Sequence, residues 1–449
     1  MERAKLIVKN FGPLKDIEIE VREMVTFIGA QASGKSTLAK LISIFEDENF
    51  RRDNQIKFED ELKKYNIFSF FSDKTIISYK TYHPKSSYPT VSSFHFYFSK
   101  EKKEKTSPLI NFNLFKEYNN VIKPENTQDL IDSITMGIYL DLSVHSLLNN
   151  DKIYDLFNSE DQKIKFEIVF ADIRNKKRFL NGQDVKSILE IQEKELKLED
   201  YIHLYQQLIN LFPYIYFDDS IYIPSERSFL HLIEGNIIGL IKNKIKIPDH
   251  ILNVGQEYEK ALQTIKELPL NIIDKKIKYK REGKTSYIYH NENEKVDLLE
   301  SASGLQSIIP ILLLVEYSKS LKEEYNFNFV VEEPELNLYP KAQHELIKYL
   351  VKNCLFDRKN LILTTHSPFV LASLNNLLLA YDKGQKNPKE VNKIITKESW
   401  LNPKNFIAYE LKNGKAKKIM NDKLGQISEN MIDSVSDTFA DEFDKLLDL

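Results

Sequence analysis

Alternation opens the chain: apolar and polar residues take turns through Ile17-Glu18-Ile19-Glu20-Val21, and residues 5–28 predict strands broken by a turn at Phe11-Gly12-Pro13. The period then lengthens. Leu38, Leu41, Ile42 and Phe45 recur at helical spacing, so a helix begins soon after Gly29. Aromatic-rich strands such as Phe94-His95-Phe96-Tyr97-Phe98 come next, followed by a long polar stretch of helical periodicity that includes Lys186–Leu211. A strand returns in Ser220-Ile221-Tyr222-Ile223-Pro224-Ser225-Glu226-Arg227. Lys276–Arg281 and Thr285–His290 alternate around Gly283 and predict a hairpin. Ser301–Ser307 leads into the apolar helix Ile308–Val315. The strand Phe329-Val330-Val331, a helix over Lys341–Asn353 and the strand Leu361-Ile362-Leu363 follow. A hairpin turn at Asn413-Gly414 and an amphipathic helix carrying Ile432, Val435, Phe439, Phe443 and Leu446 close the pattern. No internal repeat is visible.

Strands alternating with helices predict an α/β chain, and 449 residues exceed what one compact core organises. The expected division is a head in two parts, residues 1–50 and 216–380, an inserted lobe over 51–215 that is β and then mainly helical, and a C-terminal extension over 381–449. Hydrophobic residues at 42% and charged residues at 29% exclude a disordered chain. A net charge of −3 gives no general attraction to nucleic acid, so any such contact needs a local patch. The single cysteine, Cys354, excludes internal disulfides and suits a reducing cytoplasm. Met1-Glu2-Arg3-Ala4-Lys5 lacks the apolar core of a signal peptide, and no apolar run approaches bilayer length, so a cytoplasmic protein without a membrane span is expected.

Two segments far apart carry chemistry that makes sense only in combination. The first is Gly29-Ala30-Gln31-Ala32-Ser33-Gly34-Lys35-Ser36, a complete GxxxxGK[ST] loop after the apolar run Val25–Ile28. Glycines let its backbone N–H groups point at phosphate oxygens, at a helix N-terminus that favours anions. Lys35 is expected to neutralise the β- and γ-phosphates of ATP and Ser36 to ligate Mg2+, with Thr37 closing the nucleotide-binding run. A chance glycine turn is the bland alternative; the strand before, the helix after and the complete pattern weigh against it.

The second segment is Phe329-Val330-Val331-Glu332-Glu333-Pro334-Glu335. A Glu-Glu pair alone is usually a solvated surface. Here it ends an apolar strand, at the edge where open α/β sheets bind ligands. Glu332 is therefore expected in the magnesium shell and Glu333 as general base for the attacking water. Ser303-Gly304-Leu305-Gln306 reads either as a plain N-cap or as a helix N-terminus for the γ-phosphate of a second nucleotide. His366 reads either as a satisfied structural histidine or as a phosphate sensor, and its place at the end of a buried strand favours the sensor.

In this order of motifs the chain resembles the ABC-type ATPase heads of the RecF and SMC class, and among them the prokaryotic ATPases related to overcoming-lysogenization-defect (OLD) proteins. The antiphage ATPases of the Septu, PARIS and retron-linked systems are similar. Asn10-Phe11-Gly12, Tyr222–Arg227 and Glu332–Pro340 carry the likeness, which covers residues 1–50 and 215–380. It implies a P-loop ABC-type ATPase head with a mixed β-sheet plus a largely helical inserted lobe. It also implies that two subunits sandwich two nucleotides, each phosphate loop facing Ser303, Gly304 and Gln306 of the partner. Asn337 and Leu338 would then lie at the interface, and His366 would be the switch histidine. Three departures stand out. Glu332 replaces the usual aspartate, the signature lacks its second glycine, and Ser225-Glu226 stands where a Q-loop glutamine is expected.

Among basic runs, Lys100–Lys105 reads as a solvated loop, while Arg174–Arg178 and Lys275–Lys284 are candidate surfaces for nucleic acid or an acidic protein. OLD nucleases carry a C-terminal Toprim domain with acids at strand ends. Here the acidic cluster Asp433–Asp448 sits on an amphipathic helix, and the nine histidines show no His-Asn-His spacing, so no nuclease is expected in this chain. The expected function is an ATP-gated, self-associating sensor and scaffold of an antiphage system, with a phage protein as trigger and a separate nuclease as effector. The alternative is a RecF-like DNA-binding ATPase of repair. A transporter subunit fits poorly, because the long insertion has no place there.

Overall fold

The computed structural model describes residues 4–52, 55–81, 95–106, 219–233, 239, 242–321, 327–355 and 360–447. Nearly all belong to one of two compact units, made of Met1–Pro84, His95–Lys105 and Asp218–Leu449. The helical part of the expected lobe, including Lys186–Leu211 and the basic run Arg174–Arg178, lies outside the described residues.

An 11-stranded mixed sheet organises the described unit. Its first strands are β1 (Ala4–Phe11), β2 (Leu14–Val21), β3 (Met24–Gly29), β4 (Ile76–Thr81), β5 (His95–Phe98), β6 (Lys103–Thr106) and β7 (Asp219–Ile223). A separate four-stranded sheet follows, with β8 (Glu267–Pro269), β9 (Lys278–Glu282), β10 (Thr285–Tyr289) and β11 (Lys295–Asp297). The main sheet resumes with β12 (Phe327–Glu332), β13 (Leu361–Thr365), β14 (Phe406–Lys412) and β15 (Lys415–Lys418). Its order is β6-β5-β4-β1-β2-β15-β14-β3-β13-β12-β7. From β14 to β7 neighbouring strands are parallel, whereas β1 pairs antiparallel with β2 and β4, and β4 with β5. Every residue of β3 and β13 is buried, as parallel strands covered on both faces require.

Alternate residues of the parallel strands (Met24 and Ile28, Phe329 and Val331, Leu361 and Leu363) share one core with the helices Asp249–Thr264, Ser303–Ser320, Pro340–Cys354 and Pro368–Gly384. The helix Lys35–Glu46 packs on β3, β7, β12 and β13. The hairpin turns form where the sequence expects them, with Gly283 at φ 60° between β9 and β10 and Asn413 and Gly414 at φ 54° and 76° between β14 and β15. Among the described residues no helix is long and apolar enough to cross a membrane.

Two expected boundaries move. β4–β6, assigned above to the inserted lobe, extend the head's own sheet. Phe45 of the helix Lys35–Glu46 stacks on Tyr79 of β4 at 4.9 Å and on Phe96 of β5 at 5.6 Å, so the aromatic alternation there is a packing seam of the head. The segment assigned to a C-terminal extension also enters the sheet: β14 lies between β15 and β3, its Phe406–Leu411 in register with Met24–Gly29. Only the last helix, Met431–Leu447, stands apart. Ile432 packs on the core, but Phe439 and Phe443 are 64% and 62% exposed.

Candidate active site

Four parallel strands deliver the site to one edge of the sheet. In register, Thr365 of β13 lies opposite Ile28 of β3, Glu332 of β12 opposite Thr364, and Ile223 of β7 opposite Val331. The phosphate loop, His366, Glu333 and Ser225-Glu226 therefore leave the sheet side by side, at the carboxyl ends of the strands.

The loop is shaped by two close approaches. Gly34 has φ 103°, and a Cβ there would sit 2.4 Å from Leu14 Cδ2. A Cβ on Gly29 would meet the carbonyl oxygen of Leu411, in β14, at 2.6 Å. The helix Lys35–Glu46 begins without a side-chain cap, which leaves its first N–H groups for an anion. Lys35 is buried, and its Nζ donates to the carbonyls of Gly29 and Ala30, both at 3.0 Å. Burial lowers its pKa, while Glu333, Glu332 and Glu335 act to raise it.

Glu332 is buried, and its Oε1 has no hydrogen-bond partner. Burial raises its pKa, against the lowering influence of Tyr222, Ser36 and Lys40. The Tyr222 hydroxyl is close enough to act on this carboxylate but makes no hydrogen bond of normal geometry. A donorless buried carboxylate oxygen near a serine hydroxyl fits a divalent cation. Magnesium, which is bound through one or two protein oxygens together with phosphates and waters, matches a serine hydroxyl beside one carboxylate.

Glu333 takes a left-handed backbone, φ 42°, and its N–H donates to the carbonyl of Thr364 at 2.9 Å. Its Oε1 lies 3.3 Å from Nε2 of His366. Glu335 holds the histidine in place: its Oε1 accepts from Thr365 Oγ1 at 2.7 Å and from the His366 N–H at 2.8 Å. Its remaining oxygen is buried without a partner, and burial raises its pKa. Ser367 then caps the helix Pro368–Gly384.

Ser303 and Gly304 open the helix Ser303–Ser320, whose N-cap is Ala302; Ser303 is therefore not the cap, and its side chain is exposed. Gly304 is required by packing, because a Cβ would stand 2.7 Å from the carbonyl oxygen of Asn337. Gln306 turns its Nε2 onto the carbonyls of Leu299 and Ser301, both at 2.9 Å. Among the described residues no hydrogen bond joins Ser303, Gly304 or Gln306 to the phosphate loop of the same chain. Leu338, expected at an interface, is only 7% exposed and packs in its own core; Asn337 and Tyr339, the latter 79% exposed, face outward instead.

Sequence reasoning missed Arg227, although it quoted the segment that carries it. Arg227 is fully buried and donates to four carbonyls: Nε to Ser307 at 2.9 Å, Nη1 to Pro224 at 3.2 Å and Glu332 at 2.7 Å, and Nη2 to Glu333 at 2.8 Å. Burial lowers its pKa to about 10, opposed by Glu335, Glu333, Glu332 and Glu226, so it stays charged at neutral pH. Its partners are main-chain oxygens, which every sequence supplies, so no side-chain pattern announces them.

No curated protein matches the chain in sequence. Solved structures similar to it include the SMC head domain from Thermotoga maritima, at 10% identity over 93% of this chain and 98% of that one, TM-score 0.37. The Smc head with an extended coiled coil bound to the C-terminal domain of ScpA, from Pyrococcus furiosus, is 11% identical over 93% and 96%, TM-score 0.32. The Smc head with a coiled coil and joint from Pyrococcus yayanosii is 11% identical over 95% and 98%, TM-score 0.33. TM-scores this low carry no conclusion. The family model for the AAA ATPase domain, by contrast, matches residues 1–371, from β1 through the phosphate loop and the acidic strand to His366 and the helix behind it. On that match the chain belongs to the AAA ATPase domain family.

Proposed function

We propose that the protein is an ABC-type ATPase that hydrolyses MgATP between two copies of the chain and serves as the sensor and scaffold of an antiphage system. The observation that carries this reading is the donorless Oε1 of Glu332, near Ser36, on the strand edge that also bears Glu333 and His366. Magnesium, held by Ser36 and Glu332, would supply charge neutralisation at the β- and γ-phosphates. Gly29–Thr37 cradle the phosphates, with Lys35 transferring its ammonium from the Gly29 and Ala30 carbonyls to the nucleotide. Glu333 takes the proton of the attacking water. His366, fixed through Glu335, orients Glu333 and faces the γ-phosphate. The uncapped start of the helix at Ser303, with Gly304 and Gln306, closes on the nucleotide of a second copy.

The defence role and the separate nuclease effector are supported by the likeness of Glu332–Pro340 and Tyr222–Arg227 to OLD-related ATPases. The DNA-clamp alternative has a weak surface: in the four-stranded sheet that bears the lysine-rich hairpin, Lys278 pairs with Glu267 at 2.8 Å and Lys295 with Glu282. To test the reading, the chain is expressed with its genomic neighbours and challenged with phage. Glu333→Gln and Lys35→Ala are each expected to abolish protection. Full protection by both variants would remove ATP from the mechanism.

A further inference from the structure

Pro310 is the eighth residue of the helix Ser303–Ser320 and has no N–H. The carbonyl four residues earlier, that of Gln306, thereby loses its helical donor. His231 replaces it, with Nε2 at 2.7 Å from the Gln306 oxygen. A carbonyl only accepts, so Nε2 carries the proton; Nδ1 of the neutral ring then accepts from the Tyr258 hydroxyl at 2.9 Å. One residue on, the Ser307 carbonyl accepts from Arg227 Nε, whose guanidinium also holds the carbonyls of Glu332 and Glu333. The segment Ser225–Ile233 thus grips the proline-containing first turns of one helix at one end and the backbone of the two acids at the other.

We propose that Arg227 and His231 are positioning residues that couple the Ser303–Gln306 turn to the conformation of Glu333, so that closure on a second nucleotide sets the catalytic carboxylate. This deepens the function proposed above and rests on its assignment of Glu333 and Ser303–Gln306. Three features favour coupling over a plain core staple. Glu333 occupies a left-handed conformation, which is strained for a non-glycine residue and persists only where neighbours enforce it. Burying the Arg227 guanidinium carries a desolvation cost that an apolar spacer would avoid. All four bonds of Arg227 go to carbonyls, so they register backbone position on two elements at once.

The full-length protein is compared with Arg227→Lys, His231→Ala, Pro310→Ala and the His231→Ala/Pro310→Ala pair. Arg227→Lys keeps the charge but loses the fork. It is expected to retain ATP affinity within about twofold and lose at least about tenfold in kcat, a split that general destabilisation does not produce. His231→Ala is expected to lower kcat in the same way, and adding Pro310→Ala, which returns an N–H to the Gln306 carbonyl, to recover a large part of it. Hydrogen exchange reads the coupling without activity: His231→Ala should raise exchange in the peptide covering Glu332–Leu336, and Pro310→Ala should reverse the rise. Unchanged kcat in Arg227→Lys, or unchanged exchange at Glu332–Leu336 in His231→Ala, overturns the coupling. Wild-type hydrolysis that Glu333→Gln does not reduce would instead overturn the assignment of the site, and the exchange experiment would still decide whether the two elements are joined.

Discussion

Glu333 is a glutamate in a backbone conformation that favours glycine, held by Thr364 on one side of its peptide and by Arg227 on the other. Its carboxylate lies 3.3 Å from His366, which suits the general-base role proposed for it. Glu333→Gln is expected to lower kcat by about 10²–10⁴ with ATP affinity unchanged, as loss of a general base does; single-turnover kinetics beside a nucleotide titration checks both halves. A second residue-scale expectation concerns acid. Burial pushes His231 down to about 4, against an ordinary value of 6.5, so the folded protein holds it neutral while the unfolded chain protonates it. Stability from this group is complete above pH 6.5 and is lost as pH falls from 6.5 towards 4, by about 3 kcal/mol at most. Burial also lowers His250 and His344, so the wild type loses stability from all three. His231→Gln, which can still donate to Gln306 but does not titrate, should flatten its share in denaturant melts at pH 7, 5.5 and 4. The phosphate loop was legible because its eight residues carry their chemistry in sequence order. Glu335 and Arg227 were not, since what assigns them is a neighbour far along the chain.

At the scale of elements, the close approach of Gly304 to Asn337 locks the start of one helix onto the loop after β12. Gly304→Ala would press a methyl group into a backbone carbonyl. It is expected to destabilise by about 1–3 kcal/mol and to weaken ATP-dependent self-association, measured by light scattering in a Glu333→Gln background; wild-type association would show that this turn is not at the interface. Most helix and strand types were readable here from periodicity and both hairpins from their glycine turns, but Lys100–Lys105, read as a loop, contributes to β6 (Lys103–Thr106). Their membership was harder. The aromatic alternation of β5 looked like the start of a new lobe because a strand's pattern reports that one face is buried, not what buries it. Phe45, Tyr79 and Phe96 supply that answer only once the helix Lys35–Glu46 is laid across them.

Across the whole molecule, the C-terminal hairpin braces the nucleotide loop from two sides. The Leu411 carbonyl abuts Gly29, and the Gly414 carbonyl accepts from the N–H groups of Lys15 and Asp16, next to the Leu14 that underlies Gly34. The family match stops at residue 371, yet β14 and β15 complete the sheet beyond it. A fragment of residues 1–371 is therefore expected to lose cooperative unfolding in a circular-dichroism melt and to bind no fluorescent ATP analogue, in contrast to the full chain; retained binding would show that the hairpin is dispensable. Sequence reading took this segment for an appendage because two strands separated by most of the chain leave no local trace of their pairing. There is a consequence for biosynthesis. β3 emerges early from the ribosome but waits for both flanking strands until β13 and β14 have been translated. If copies pair only around nucleotide, as proposed above, an interrupted nascent polypeptide lacking these strands joins no complete partner and poisons no assembly.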